Sequence, residues 1–189
     1  IRAELRFVYG EHEFNCFDEP HIPGYIIVRQ REQENELMRL LEQLEFEPHS
    51  SFYLLQDDGA IYRFLQEGIA QLSERCTLYY SDAFRKIGIR SGGNFRVGLR
   101  VSSEIDLLEM DIDYGDIPRE ELRELFRSLQ LKKKYYRLKD GSFVSLQDSS
   151  LVLLAELMVA AHLKPKVFVT GKMHVPMYRT LYLDKMLEE

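Results

Sequence analysis

The sequence predicts a mixed α+β fold on three observations: strict residue alternation at the amino terminus, apolar stripes at helical spacing further along, and an Asp-Gly turn between two extended runs. A small βαβ-like lobe is expected first, followed by a second lobe of antiparallel hairpins packed with helices. The 189 residues are 45% hydrophobic and 30% charged, enough to bury a core without disulfide staples.

Ala3, Leu5, Phe7 and Tyr9 alternate with Arg2, Glu4 and Arg6, the period of a half-buried strand over residues 1–9. Gly10-Glu11 turns it toward a second extended run, 12–17, so a hairpin is expected. After the 20–24 loop, Leu37, Leu40, Leu41 and Leu44 share one helical face opposite Glu and Gln, which predicts a helix over 30–44. The short apolar run 51–56 ends at Asp57-Asp58-Gly59. A helix with Phe64, Leu65, Ile69 and Leu72 on its buried side follows, and 76–80 reads as another strand. That order of helix and strand is what suggests a βαβ-like lobe.

Three glycines within 88–93 mark a mobile joint and place the lobe boundary there: an amino-terminal mixed α/β lobe over 1–87 and a hairpin-and-helix lobe over 88–189. The alternative is one continuous domain. Residues 94–101 and 105–114 read as long strands. Asp116 offers an N-cap region ahead of Pro118, and Leu122, Leu125, Phe126 and Leu129 form a helical stripe ending at Gln130. Residues 135–146 form a hairpin whose turn is Asp140-Gly141, because glycine tolerates the positive φ of a tight turn. Asp148 caps a helix over 151–162, and Pro176 opens a last one through Leu187.

The chain opens at Ile1, already inside a strand and without a charged or apolar leader, so it reads as a piece of a larger intracellular protein. Cys16 and Cys76 are the only cysteines, and no apolar run approaches the roughly 20 residues of a membrane span; cytoplasm is the expected compartment. The net charge of −6 argues against a surface that embraces nucleic acid on all sides. The charge is bipolar. Residues 1–60 hold thirteen acids against five bases, whereas 119–139 hold eight bases against three acids.

Catalytic chemistry is sought without success. Ser91-Gly92-Gly93-Asn94 has glycines but lacks the Lys-Ser or Lys-Thr ending of a phosphate loop, and reads as a turn. His12, His21, His49, His162 and His174 are scattered, without helical pairing or a Cys-x-x-Cys partner. Asp111, Asp113 and Asp116 suggest a calcium loop only superficially, since Leu122 stands where the closing Glu belongs. No Gly-x-Ser-x-Gly elbow occurs, and Cys76 reads as a small hydrophobe in a strand. Thus no catalytic residue, metal, cofactor or small-molecule ligand is expected.

The one concentrated feature is Lys132-Lys133-Lys134-Tyr135-Tyr136-Arg137, where a helix hands over to the hairpin. Three adjacent ammonium groups can neutralise phosphates, and a tyrosine ring can pack on a sugar or base. This assigns Lys132, Lys133, Lys134, Tyr135, Arg137 and Lys139 as candidate nucleic-acid contacts. The competing reading is structural: Tyr136 and Leu138 alternate as strand residues facing a core, and lysines at a helix C-terminus suit its dipole and stay solvated.

The run from Lys132 through Asp140-Gly141-Ser142-Phe143, followed by Leu146 and an apolar helix, resembles the signature of the bacterial Swi/Snf-type helicase-associated domain. The opening strand ending Phe7-Val8-Tyr9-Gly10, the strand and helix around 107–125, and the closing segment 175–183 agree with the same family. The resemblance covers most of the chain, with the tyrosine-rich hairpin its specific part.

What the resemblance implies is a non-catalytic accessory or regulatory module, amino-terminal to the motor of an ATP-dependent, helicase-like translocase. Its partner is the Swi/Snf-type ATPase motor of the same chain, with double-stranded DNA as a second partner met through the basic hairpin. A bacterial cytoplasmic or nucleoid-associated location goes with it. Arg137, Asp140 and Gly141 serve folding in this picture. The alternative is a protein–protein docking module without nucleic-acid contact, using the acidic amino-terminal face; neither reading involves a membrane.

Overall fold

The alternation at the amino terminus yields two strands rather than one. The computed structural model describes residues 1–21, 23–24, 26–90, 96–101, 107–160 and 172–176, and the chain divides into two units, Ile1–Lys86 and Ile87–Glu189. Both helices and sheets are present in a mixed α+β arrangement, the class the sequence predicts.

In the first unit, β1 (Arg2–Ala3) breaks off before β2 (Arg6–Tyr9), which forms an antiparallel hairpin with β3 (His12–Asn15). Tyr9 pairs with His12, leaving the two-residue loop Gly10-Glu11, and Gly10 takes φ +62°. Glycine first in a two-residue loop matches the right-handed twist of the flanking strands. The inner face carries Phe7 and Phe14, both buried, with Tyr9 stacked on Phe14 at 5.7 Å.

Helix α1 (Arg31–Gln43) buries Leu40 and Leu41 as its stripe predicts, and also Glu34. It ends in a Schellman motif: Glu45 sits at φ +68° and donates its N–H to the Glu42 carbonyl, while the Phe46 N–H reaches the Leu41 carbonyl. Then β4 (Glu47–Pro48) and β5 (Tyr53–Leu54) pair antiparallel, and β5 also pairs antiparallel with β1. These ladders differ from the parallel pairing of a βαβ-like lobe. Between β4 and β5 the physical reason is the short 49–52 connection, since a parallel pair needs a crossover of a dozen residues or more, and the strand over 76–80 that would receive such a crossover from β5 does not form.

Asp57 accepts the Ala60 N–H at 2.9 Å and opens α2 (Asp58–Arg63), which runs through a π turn, Phe64–Gly68, into α3 (Ile69–Ser73). The expected strand over 76–80 is absent. Cys76 instead donates both its N–H and its Sγ–H to the Leu72 carbonyl, extending the helix end, and 77–80 pair with no strand among the described residues. A short helix, α4 (Asp82–Arg85), closes the unit, capped by the Ser81 hydroxyl.

In the second unit, β6 (Ile89–Arg90) pairs parallel with β10 (Phe143–Ser145), and β9 (Tyr135–Arg137) pairs antiparallel on the other side of β10. The Gly88 carbonyl accepts the Phe143 N–H at 2.8 Å, so residues 88–90 are held in this sheet rather than forming a mobile joint. Residues 91–95, including the Ser91-Gly92-Gly93-Asn94 loop, lie outside the described residues. A separate antiparallel sheet has the order β11 (Lys172–Pro176), β8 (Leu107–Asp113), β7 (Arg96–Val101). Pro176 therefore closes a strand, opposite Leu107, instead of opening a helix; the rest of the expected helix, 177–187, lies outside the described residues. The same holds for His162, the expected end of α6 (Ser149–Ala160). The Asp148 carbonyl accepts the N–H groups of Leu151 and Val152 in the first turn of α6.

Asp116 does not cap α5 (Leu122–Gln130). A lead-in turn intervenes, with the Glu121 N–H on the Pro118 carbonyl, so the helix starts later and Glu121 takes the cap position. Asp113 Oδ1 accepts the Gly115 N–H at 3.0 Å, an Asx turn that accounts for this acidic residue without a cation.

Candidate nucleic-acid interface

The basic run owes its position to the end of α5. Leu122, Leu125, Phe126 and Leu129 are buried, which fixes the helix by one face and leaves Arg123, Arg127 and Gln130 in solvent. Beyond Gln130, Leu131 is the C-cap and Lys132 adopts φ +53°. The Lys132 N–H then bonds to the Leu129 carbonyl at 2.9 Å and the Lys133 N–H to the Ser128 carbonyl at 3.1 Å. This second Schellman motif again uses a non-glycine residue in the left-handed position. The Lys134 carbonyl accepts the Leu146 N–H at 2.9 Å, so the run is fastened to helix at one end and hairpin at the other.

Along the hairpin, Tyr135, Tyr136 and Arg137 face Ser145, Val144 and Phe143. Leu138 is buried, and Gly141, at φ +89°, makes the turn. Asp140 Oδ1 accepts both the Ser142 N–H at 2.9 Å and the Ser142 hydroxyl at 2.6 Å, and the Arg90 guanidinium pairs with its other oxygen. The Ser142 bonds, with help from Arg90, hold the Asp140 carboxyl below its ordinary value. Arg90 also donates to the Asp116 carbonyl at 2.8 Å, tying the turn to the loop before α5.

Glu121 secures the other flank. Its side chain is almost fully buried, and Oε2 accepts the Lys139 backbone N–H at 3.0 Å and the Tyr136 hydroxyl at 3.4 Å. Burial, and then the Glu121 charge, push the Tyr136 hydroxyl up from its ordinary pKa.

Of the six residues assigned from sequence, Lys132, Lys133, Lys134 and Lys139 are exposed, and none of the four has an ion-pair partner among the described residues. Arg137 is exposed, with its guanidinium 5.4 Å from the Phe143 ring centre. Tyr135 is half-buried, its ring edge-on to Phe143 at 5.5 Å, and so belongs partly to the hairpin's own packing. The three lysines stand at one end of β9, with Lys139 beyond the other. Sequence reasoning missed Arg90 and Glu121. The only signal for Arg90 was its place after Gly88, because the parallel β6–β10 pairing is long-range.

Elsewhere, the described part of the first unit has an open cleft of about 360 Å³ with Glu42, Glu45, Glu47 and Asp57 around Phe46, Pro48, Leu54 and Leu55. Among the described residues, no three His, Cys, Asp or Glu side chains converge as metal ligands. Burial raises both thiols, Cys16 to about 11. No described helix is long and apolar enough to cross a membrane.

No curated protein and no solved structure matches the chain. A family model described as bacterial SNF2 helicase associated matches residues 1–189, the whole length and not only the tyrosine-rich hairpin. The resemblance carried by Lys132 to Phe143 therefore extends through both units, and the chain belongs to the bacterial SNF2 helicase-associated family.

Proposed function

We propose that this chain is a non-catalytic accessory module of a bacterial SNF2-family ATPase and that it contacts duplex DNA through Lys132, Lys133 and Lys134, with Arg137 and Lys139 alongside. The observation that carries this reading is the pairing of rigid backbone with free charge. The three lysines sit on a helix end and hairpin fastened by the Lys132, Lys133 and Lys134 backbone bonds, yet their ammonium groups have no carboxylate partner among the described residues. Ordering such a run costs little on binding, because its backbone is already fixed. Phosphate contact then releases counterions, which makes affinity fall steeply with salt.

The test is a fluorescence-anisotropy titration of the chain against a labelled duplex at rising salt, repeated with Lys132, Lys133 and Lys134 changed to Ala. The reading expects a log–log salt slope reduced by up to roughly three in the triple variant. An unchanged slope would remove the hairpin from the interface.

A second reading, protein docking, is favoured by the first unit. Ile26 and Val28 are 94% and 84% exposed, and the cleft around Phe46 is acidic, features suited to a partner that is apolar and basic. In that case deleting residues 1–86 from the parent ATPase changes its basal hydrolysis rate while the salt dependence of DNA binding stays the same.

A further inference from the structure

A second aromatic and basic surface lies in the first unit, at the segment the sequence assigns to a strand and the structure leaves unpaired. Tyr79 is 92% exposed, an unusual degree for a large aromatic side chain, and Tyr80 keeps 39% of its surface in solvent. Tyr80 stacks on Phe84 with rings 5.4 Å apart and 7° from parallel. Phe84 in turn meets the buried Phe64 edge-on at 6.5 Å, so an aromatic column runs from the core to the surface.

The column is set by backbone. The Ser81 hydroxyl accepts the Phe84 N–H at 3.2 Å and the Ser81 carbonyl accepts the Arg85 N–H at 3.0 Å, which holds Phe84 beneath Tyr80. Along the chain on either side of it, residues 74–86 carry Arg75, Arg85 and Lys86 against Glu74 and Asp82, in a unit whose first 60 residues are strongly acidic. All three cations are exposed and none has an ion-pair partner among the described residues.

We propose that Tyr79 and the Tyr80–Phe84 stack form a platform for an unpaired nucleobase, with Arg75, Arg85 and Lys86 meeting the flanking phosphates of single-stranded nucleic acid. Every base has a π face, so an exposed tyrosine next in sequence to the Tyr80–Phe84 stack, with cations a few residues away along the chain, suits a single strand without needing a particular sequence. A paired base is already stacked within its duplex and gains little from the ring. The platform thus goes beyond the duplex contact assigned to the hairpin and does not depend on it.

The experiment uses the 189-residue chain, a fluorescein-labelled oligothymidylate of about 12 nucleotides and, in parallel, a labelled duplex. Tyr79→Ala is expected to weaken oligonucleotide binding roughly 5- to 100-fold, while Tyr79→Trp, which retains a stacking face, binds like the parent. Thermal unfolding of both variants should match the parent, since Tyr79 is almost wholly in solvent. Changing Lys132, Lys133 and Lys134 to Ala should leave the oligonucleotide affinity unaltered whatever it does to the duplex. The proposal is overturned if the parent fails to bind the oligonucleotide at low salt, or if Tyr79→Ala binds as tightly as the parent. It is equally overturned if the lysine variant alone loses oligonucleotide binding, which would assign the single strand to the hairpin.

Discussion

The Glu121 carboxylate accepts the backbone N–H of Lys139 at 3.0 Å, binding the start of α5 to the far end of β9. A charged acceptor on a backbone donor, almost fully buried, is among the stronger hydrogen bonds a fold can make. Removing it leaves the Lys139 N–H without its acceptor and the Tyr136 hydroxyl without its neighbour. Glu121→Ala should therefore cost about 1–3 kcal/mol in urea unfolding, whereas Glu121→Gln, which keeps a carbonyl oxygen, should cost clearly less. Equal losses in the two variants would mean that packing, rather than this acceptor, carries the effect.

Lys132 occupies a left-handed backbone position, φ +53°, that ordinary L residues avoid. Glycine relieves that strain, so Lys132→Gly should raise the unfolding free energy by up to about 1 kcal/mol despite the looser unfolded chain. The same change removes an ammonium group from the basic run. Stability and duplex affinity should thus move in opposite directions, with the salt slope falling by roughly one. A variant that loses both would place the Lys132 side chain within the fold rather than at an interface.

These residues also show where the sequence is informative. The β2–β3 hairpin, α1, α5 and the Asp140-Gly141 hairpin were legible because each rests on local periodicity or on a glycine at a turn, with Gly10 at φ +62° and Gly141 at +89°. The basic run was legible because charge is read directly from residue type. Pairing across long separations was not: β6 beside β10, and with it Arg90 against Asp140, depends on a crossover that no local pattern announces. The strand expected over 76–80 failed for a related reason. Its apolar residues suit a sheet, but joining one depends on contacts far along the chain, and Cys76 bonds back to Leu72 instead. Glu34 and Glu121 share exposed-looking helical contexts with their acidic neighbours, so sequence alone could not single them out as buried.

Glu34 meets Arg29 with Oε2 2.6 Å from Nη2, and it also accepts the Tyr9 hydroxyl at 2.6 Å, so it joins α1 to the hairpin. The Arg29 guanidinium is the main cause that holds the Glu34 carboxyl below its ordinary value. In the acid range the unfolded chain consequently binds the proton first, so the pair's contribution is whole above the ordinary carboxylate pKa and drains away as pH falls through the folded value. Glu34→Gln should flatten the decline of stability measured between about pH 6 and about pH 3. Glu34→Ala should cost about 3–5 kcal/mol near neutrality, because Arg29 is left largely buried without its counter-ion. A Glu34→Gln variant with the parent's acid profile would show that other carboxylates govern acid unfolding.

Tyr53 presents the opposite case, a polar group with nothing to bond. Its side chain is fully buried on β5, between β1 and β4, with its ring 5.1 Å from Phe17, and its hydroxyl has no hydrogen-bond partner among the described residues. A hydroxyl desolvated without compensation costs about 1–3 kcal/mol, and Phe keeps the ring while removing that cost. Tyr53→Phe should therefore stabilise the chain by about 1 kcal/mol at neutral pH, read from the urea midpoint at constant slope. Burial also pushes the Tyr53 hydroxyl from 10.0 up to about 12. Over that window the unfolded tyrosine ionises while the folded one stays protonated, so the parent loses stability as pH rises and the variant should lose less. A destabilised Tyr53→Phe chain would mean that the hydroxyl has a bonding partner in solution, with an ordered buried water the first to seek.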